Sequence, residues 1–152
     1  MLYVVFRLGD ERYALDVRHV AEVLPLLDVR PVPGAPREIA GVFLYRGTPV
    51  PVIDLAEVIA GRPSERRSST RLVIVNAPAA FAPGRLVALM AERATETVSR
   101  NPADFAPPVV TSAAKPALGK VAIDALGMLQ QVDPEILITQ TIRDGLFQEL
   151  EA

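Results

Sequence analysis

Tyr45-Arg46-Gly47-Thr48-Pro49-Val50-Pro51-Val52-Ile53-Asp54-Leu55 is the most informative stretch of this 152-residue chain. Before it, Val42 to Tyr45 is an apolar run of strand-forming residues. Arg46-Gly47-Thr48 is the turn, and Pro49 to Ile53 is the return strand of a hairpin. Pro49 and Pro51 stand two apart, so their missing N–H groups lie along one edge of that strand. Such an edge cannot carry a full ladder, which places the strand at a border or beside a bulge. Asp54, followed three residues on by Glu57, resembles a capping box and starts a short helix over Leu55 to Ile59.

Working outward, the same grammar recurs. Leu2 to Leu8 reads as a strand, Gly9-Asp10-Glu11 turns it, and Tyr13, Leu15 and Val17 alternate with Ala14 and Asp16. Val17, Val20, Val23 and Leu24 then change to a spacing of three and four, which predicts a short helical turn. Pro31, Pro33, Gly34 and Pro36 punctuate the approach to the hairpin. Arg62 to Arg71 is a polar loop with arginines at 62, 66, 67 and 71. It reads as a solvated connector, because it has no glycine-rich cradle for a phosphate. Leu72 to Val75 and Leu86 to Met90 are strands around a Pro/Ala loop at 77–84, and Asn101 to Pro108 is a further loop. Val121 to Ile123 and Met128 to Val132 form a hairpin around Gly127, and Asp133-Pro134-Glu135 opens a helix. Ile138, Ile142, Leu146 and Leu150 recur every four residues, the mark of an amphipathic C-terminal helix.

The order hairpin, acidic cap, short helix thus occurs twice, at 41–59 and 119–138. Asp54 and Asp133 match 79 residues apart, while Gly47 and Gly127 match only after a one-residue slip. The pattern predicts two small β-barrels, each closed by a short helical element.

Composition removes several functions. Sixteen Lys and Arg against 18 Asp and Glu give a formal charge of −2, without the basic excess that nucleic acid demands. There is no cysteine, and His19 is the only histidine, so thiolate chemistry and histidine-rich metal sites are excluded. No GxGxxG or GxxxxGK[ST] motif is present. His19 lacks partners for acid–base work and reads as structural. Asp54 and Asp133 are better explained as helix caps than as a carboxylate pair, and Glu22 and Glu92 as solvated acids at the ends of apolar segments. The chain therefore reads as non-enzymatic, with no cofactor.

Half of the residues are hydrophobic, yet the longest uncharged stretch, Leu72 to Gly84, is broken by Pro78 and Pro83. It is shorter than the roughly 20 residues a spanning helix needs. The N-terminal apolar run lacks a preceding basic region, so a cytoplasmic globular protein is expected. The apolar surplus serves a core or faces that meet partners. Arg46, exposed at a tight turn beside Tyr45, has the composition of an interface hot spot. A small-ligand-binding β-barrel with an apolar interior is the alternative.

At these residues the sequence resembles the CheW-like chemotaxis coupling proteins. The resemblance is carried by Phe6-Arg7-Leu8-Gly9-Asp10-Glu11-Arg12-Tyr13-Ala14-Leu15, by Val20-Ala21-Glu22-Val23, and by Pro33-Gly34-Ala35-Pro36 with Ile39-Ala40-Gly41-Val42. Tyr45 to Leu55 is similar to the family's Arg-Gly, Pro and Ile-Asp-Leu signature, and weaker similarity runs on through the Asp133–Leu137 helix. The resemblance implies a mainly β fold: two intertwined five-stranded SH3-like barrels with short helices, a groove between them and a C-terminal helix. One domain would span 1–152, with the first barrel over 14–66, the second over 67–138 with strand 2–8, and the helix over 139–150.

It also implies a non-catalytic adaptor in the cytoplasm. Such an adaptor is recruited to membrane-associated arrays without inserting into the membrane. It binds the regulatory domain of a CheA-type histidine kinase and the cytoplasmic tip of methyl-accepting receptors. By the family pattern Val20, Glu22, Arg46, Leu72 and Ala94 lie on or near a receptor-facing groove. The kinase meets the first barrel around Ile39, Gly41 and the Arg46-Gly47 turn. Leu44-Tyr45 stand where the family usually has Asn and Leu or Val, and Ala88 to Ala94 depart from its Gly…Val-Asp…Val run. These departures look more like an adaptor of an alternative chemosensory system, such as the Wsp-type pathways.

Overall fold

The Arg46 hairpin forms one border of a five-stranded sheet in the computed structural model, which describes residues 1–79, 84–110 and 113–143. The chain opens with β1 (Leu2–Leu8) and β2 (Glu11–Asp16) and continues through β3 (Val20–Pro25), β4 (Ile39–Tyr45) and β5 (Thr48–Asp54). Helix α1 (Leu55–Ala60), β6 (Arg71–Asn76) and β7 (Leu86–Ala91) follow. Last come β8 (Glu96–Ser99), β9 (Leu118–Asp124), β10 (Gly127–Val132) and helix α2 (Pro134–Arg143).

One sheet has the order β3-β6-β7-β5-β4 and the other β8-β1-β2-β10-β9, making two five-stranded SH3-like barrels. Each sheet contains one parallel pair, β5 with β7 and β10 with β2. The barrels are related strand by strand. Hairpin β4–β5 followed by α1 corresponds to β9–β10 followed by α2, β6–β7 corresponds to β1–β2, and β3 to β8. The N-terminal hairpin therefore completes the barrel that the C-terminal half begins, and the first barrel is inserted between its parts.

That insertion corrects the partition read from the sequence. The β6–β7 hairpin pairs with β3 and β5, and so belongs to the first barrel instead of to the region 67–138. β2 stays in its hairpin with β1, so residues 14–16 belong to the second barrel instead of to 14–66. Local hairpins set these pairings, and a linear cut through the chain cannot separate them.

Three apolar clusters take up much of the hydrophobic half of the composition. Leu72, Ile74, Ala88 and Met90 fill the first barrel with Phe43, Val50 and Val52. Tyr3, Val5, Ala14, Phe105, Ala122 and Leu129 fill the second. The alternate residues of the same strands, among them Val73, Val75, Val87, Leu89, Val4 and Phe6, form the largest cluster where the sheets meet. Strands buried on both faces need apolar side chains at nearly every position, which is why β6 and β7 read as continuous apolar runs. Leu137 and Ile138 of α2 close this central cluster.

The two prolines act as the sequence predicts. Val42 exchanges both backbone hydrogen bonds with Arg30 on the outer edge of β4, at 2.9 Å each. Its partner in β5 is Pro51, which therefore sits in a non-hydrogen-bonded pair with its nitrogen turned away from β4. Pairing of β5 with β7 starts only at Val52, one residue after the second proline. Over 48–51 the strand is locally a border.

Other expectations change. The helical turn predicted from Val17, Val20, Val23 and Leu24 covers only Val17–His19, a single 3-10 turn. Val20, Val23 and Leu24 lie in β3, where pairing with β6 outweighs the local spacing. β8 carries no apolar alternation, and the sequence reading assigns no element to it. The C-terminal helix begins at Pro134, with Asp133 accepting from Glu135 N–H at 2.9 Å and Ile136 N–H at 3.2 Å. Leu146 and Leu150, which the helical spacing invoked, lie outside the described residues.

Candidate functional site

Tyr45 pairs with Thr48, which leaves Arg46 and Gly47 as a two-residue turn and makes Thr48 the first residue of β5. Both turn residues have positive φ, 50° and 81°, the type I′ geometry whose twist matches a hairpin. Gly47 adopts it freely. Arg46 carries a Cβ, and the left-handed region costs such a residue about 1 kcal/mol. A strained arginine at a turn that favours Asn or Gly points to a role outside the fold.

Its neighbours support that role. The Tyr45 hydroxyl donates to Glu22 Oε1 at 3.0 Å, and the Arg46 guanidinium lies 5.1 Å from the centre of the Tyr45 ring. Desolvation and the bond to Glu22 push the Tyr45 phenol up, so it remains a donor at neutral pH. Arg46 Nη2 is 3.7 Å from Glu22 Oε2, and its side chain is 78% exposed. An ion pair that loose and that wet holds the arginine weakly, leaving it available to a second carboxylate.

Two hollows flank the cluster, the larger of them mainly apolar. Tyr45, Arg46, Thr48, Pro49, Arg85 and Leu86 line a hollow of about 340 Å³. Along the outer edge of β4, Leu27, Val32, Phe43 and Leu44 line a larger one of about 730 Å³. Leu44, between them in the sequence of the hairpin, is 69% exposed.

The structure separates the residues expected to share a site. Glu22, Arg46 and Gly47 come together at one end of the first barrel. Ile39 and Gly41 lie towards the other end of β4; seven residues of strand put Ile39 roughly 20 Å from Arg46. Gly41 is buried under the Arg30 strap, where a Cβ would collide with the Arg30 carbonyl. Val20 is half-buried and packs on the central cluster. Leu72 and Ala94, expected on or near the receptor-facing groove, are both buried. Leu72 fills the first barrel, and Ala94 is part of the central cluster. Glu92 is likewise buried instead of solvated. Burial pushes its carboxyl up, but Arg62 Nη1 at 2.7 Å and the Glu65 N–H at 2.8 Å hold it below its usual value.

The other barrel carries a polar cluster the sequence did not single out. Arg12, buried inside it, donates to Asp124 Oδ1 at 2.5 Å, and Arg100 donates to Asp124 Oδ2 at 3.0 Å. The only signal was an Asp three residues before Gly127, an ordinary turn composition.

The CheW-like domain family matches residues 2–141. The chain belongs to that family. It is 42% identical over 52 residues to the chemotaxis protein CheW of Treponema pallidum (strain Nichols), covering 34% of this chain and 31% of that protein. With chemotaxis protein CheW of Rhizobium meliloti (strain 1021) it is 25% identical over 104 residues, covering 68% of this chain and 64% of the other. The chain thus spans from about a third to just under two thirds of these relatives' length. The crystal structure of the scaffolding protein TtCheW from Thermoanaerobacter tengcongensis superposes with a TM-score of 0.76 at 25% identity, over 90% of this chain and 86% of that one. Among the described residues no helix is long and apolar enough to cross a membrane.

Proposed function

We propose that this CheW-like chain is a non-catalytic signalling adaptor of the cytoplasm. It couples the tip of methyl-accepting receptors to a CheA-type histidine kinase in a membrane-associated array. The observation that carries the reading is the strained, exposed Arg46, stacked on Tyr45 and loosely tied to Glu22 between a mixed hollow and a larger, mainly apolar one. This is a directional charge set among aliphatic anchors, the anatomy of a protein-docking surface. The kinase's regulatory domain docks around this turn, and the receptor tip meets the first barrel nearer Val20. The ligand-binding alternative has no observation in its favour, since each barrel is filled by its own buried side chains.

The test is co-precipitation with the purified regulatory domain and with a soluble receptor tip. Arg46→Ala should weaken capture of the kinase domain about tenfold, with the melting temperature unchanged. Wild-type capture of both partners by the variant defeats the assignment of Arg46.

A further inference from the structure

Three backbone segments are tied together where the two sheets meet. The Arg7 N–H donates to the Glu92 carbonyl at 3.0 Å, and the Ala94 N–H donates to the Ser69 carbonyl at 3.1 Å. Val5 of β1 pairs with Glu96 of β8. These bonds fix β1, the end of the arginine-rich loop and the 92–96 connection relative to one another. Between them opens a hollow of about 400 Å³ lined by Val5, Arg7, Ser69, Arg93, Thr95 and Glu96.

Among the described residues, seven of the molecule's 14 arginines are held by carboxylates, and the two in this hollow are not. Arg12, Arg18, Arg37, Arg46, Arg62, Arg67 and Arg100 each have a carboxylate partner. Neither Arg7 nor Arg93 has an ion-pair partner among the described residues. The nearest acid in sequence to Arg93, Glu92, is already engaged by both terminal nitrogens of Arg62 and by the Glu65 N–H. Arg93 is also held at a φ of 49°, a conformation disfavoured for any residue with a Cβ. Besides Arg46 it is the one non-glycine residue with positive φ among those described. Strain of this kind persists where a side chain has to be presented in a fixed direction.

The geometry points to a binding site for a phosphate group in this hollow. Arg7 and Arg93 supply the charged donors, and the Ser69 and Thr95 hydroxyls supply neutral ones. Guanidinium forks and hydroxyls together suit a tetrahedral oxyanion, which offers more acceptor oxygens than a carboxylate can. Glu96 is the opposing charge at the rim and keeps the site weaker than its donors alone would make it. The arginine-rich loop is therefore more than a connector at its Ser69 end. The phosphate site is assembled with β1 and the Arg93 turn, so no local motif announces it. It does not depend on the adaptor reading.

The experiment is a titration of the full chain with inorganic phosphate at constant ionic strength, followed by backbone amide resonances, with acetate in a parallel series. Saturable shifts are expected at Ser69, Arg93 and Thr95, with acetate at least tenfold weaker. Arg7→Gln and Arg93→Gln should each weaken phosphate at least tenfold. Arg93→Gly, which removes the charge while relieving the backbone, should show the same loss in a folded protein. Glu96→Gln should tighten binding severalfold, and Arg66→Gln, outside the hollow, should change it less than twofold. Phosphate shifts that survive Arg93→Gly, that spread over arginines generally, or that acetate reproduces at equal concentration overturn the site.

Discussion

The two hairpin tips occupy equivalent places in the two barrels and use their charges in opposite ways. Tyr45 and Thr48 of the first correspond, 79 residues on, to Asp124 and Gly127 of the second, and each pair encloses a two-residue turn. The pairing of Val52 with Ala88 corresponds to that of Gln131 with Ala14. This register makes Leu86 the equivalent of Arg12. At the second tip, Arg12 fills the position beside the turn and binds Asp124 and the Gly127 carbonyl. At the first, Leu86 leaves a hollow there, and the arginine has moved out onto the turn itself as Arg46. One tip encloses its ion pair and closes the barrel. The other exposes its charge beside apolar surface, where a partner can use it.

Breaking the enclosed pair should give the largest effect. Asp124→Ala strands the Arg12 guanidinium, whose Nε and Nη1 already lack partners in the buried interior. Removing one member of a buried pair costs about 3 kcal/mol, readable in urea denaturation. Glu22→Ala at the first tip should cost less than about 1 kcal/mol. Equal losses at the two tips dissolve the distinction between them. Acid offers a second readout. Hydrogen bonds from Arg12 and then Arg100 hold the Asp124 carboxyl well below the usual carboxylate range. Its stabilising contribution is therefore complete above about pH 4, the unfolded value, and is lost as pH falls through the lowered folded value. Asp124→Asn should flatten that part of the stability profile.

Next in size is a difference between the outer edges of the barrels. At Gly41 the Arg30 backbone passes so close that no Cβ fits. Position 120, its equivalent in the second barrel, is an exposed lysine. Gly41→Ala should cost about 2–3 kcal/mol, whereas Lys120→Ala should stay within about 0.5 kcal/mol. Thermal unfolding of the two variants compares the edges directly. A tolerated Gly41→Ala would mean that the Arg30 strap yields and does not fix β4.

What could be read in the sequence follows from where each interaction lies along it. The hairpins, the Asp54 and Asp133 caps and the 79-residue repeat are local, and all are present in the structure. The apparent slip between Gly47 and Gly127 disappears in three dimensions. The strands keep their register, and the glycine has moved from inside the turn to the first residue of β10. The inserted arrangement of the barrels was hidden, because it depends on parallel pairings between segments far apart in the chain. The burial of Leu72 and Glu92 was hidden as well: Leu72 packs in the first barrel's own cluster, and Glu92, just past β7, is covered by Arg62 and Glu65 from a segment far away in the chain. Arg46 was legible because a tight turn exposes its residue by local geometry alone. Arg12–Asp124 spans 112 residues, and its only local sign is an ordinary turn Asp.

The smallest effect on stability is the one that most sharply divides fold from function at the first tip. If Arg46 serves a partner, its left-handed backbone is a strain the fold would be better without. Arg46→Gly removes about 1 kcal/mol of that strain and returns part of it through the added freedom of glycine in the unfolded chain, for a net gain of about 0.5 kcal/mol. The loose pair with Glu22, lost in the same variant, is too exposed to reverse the sign. Arg46→Gly should therefore unfold at a slightly higher urea concentration than the wild type while binding the kinase's regulatory domain about tenfold more weakly. A fall in both would show that the arginine holds the hairpin together. A rise in stability with binding intact would place the docking surface on the flanking hollows alone.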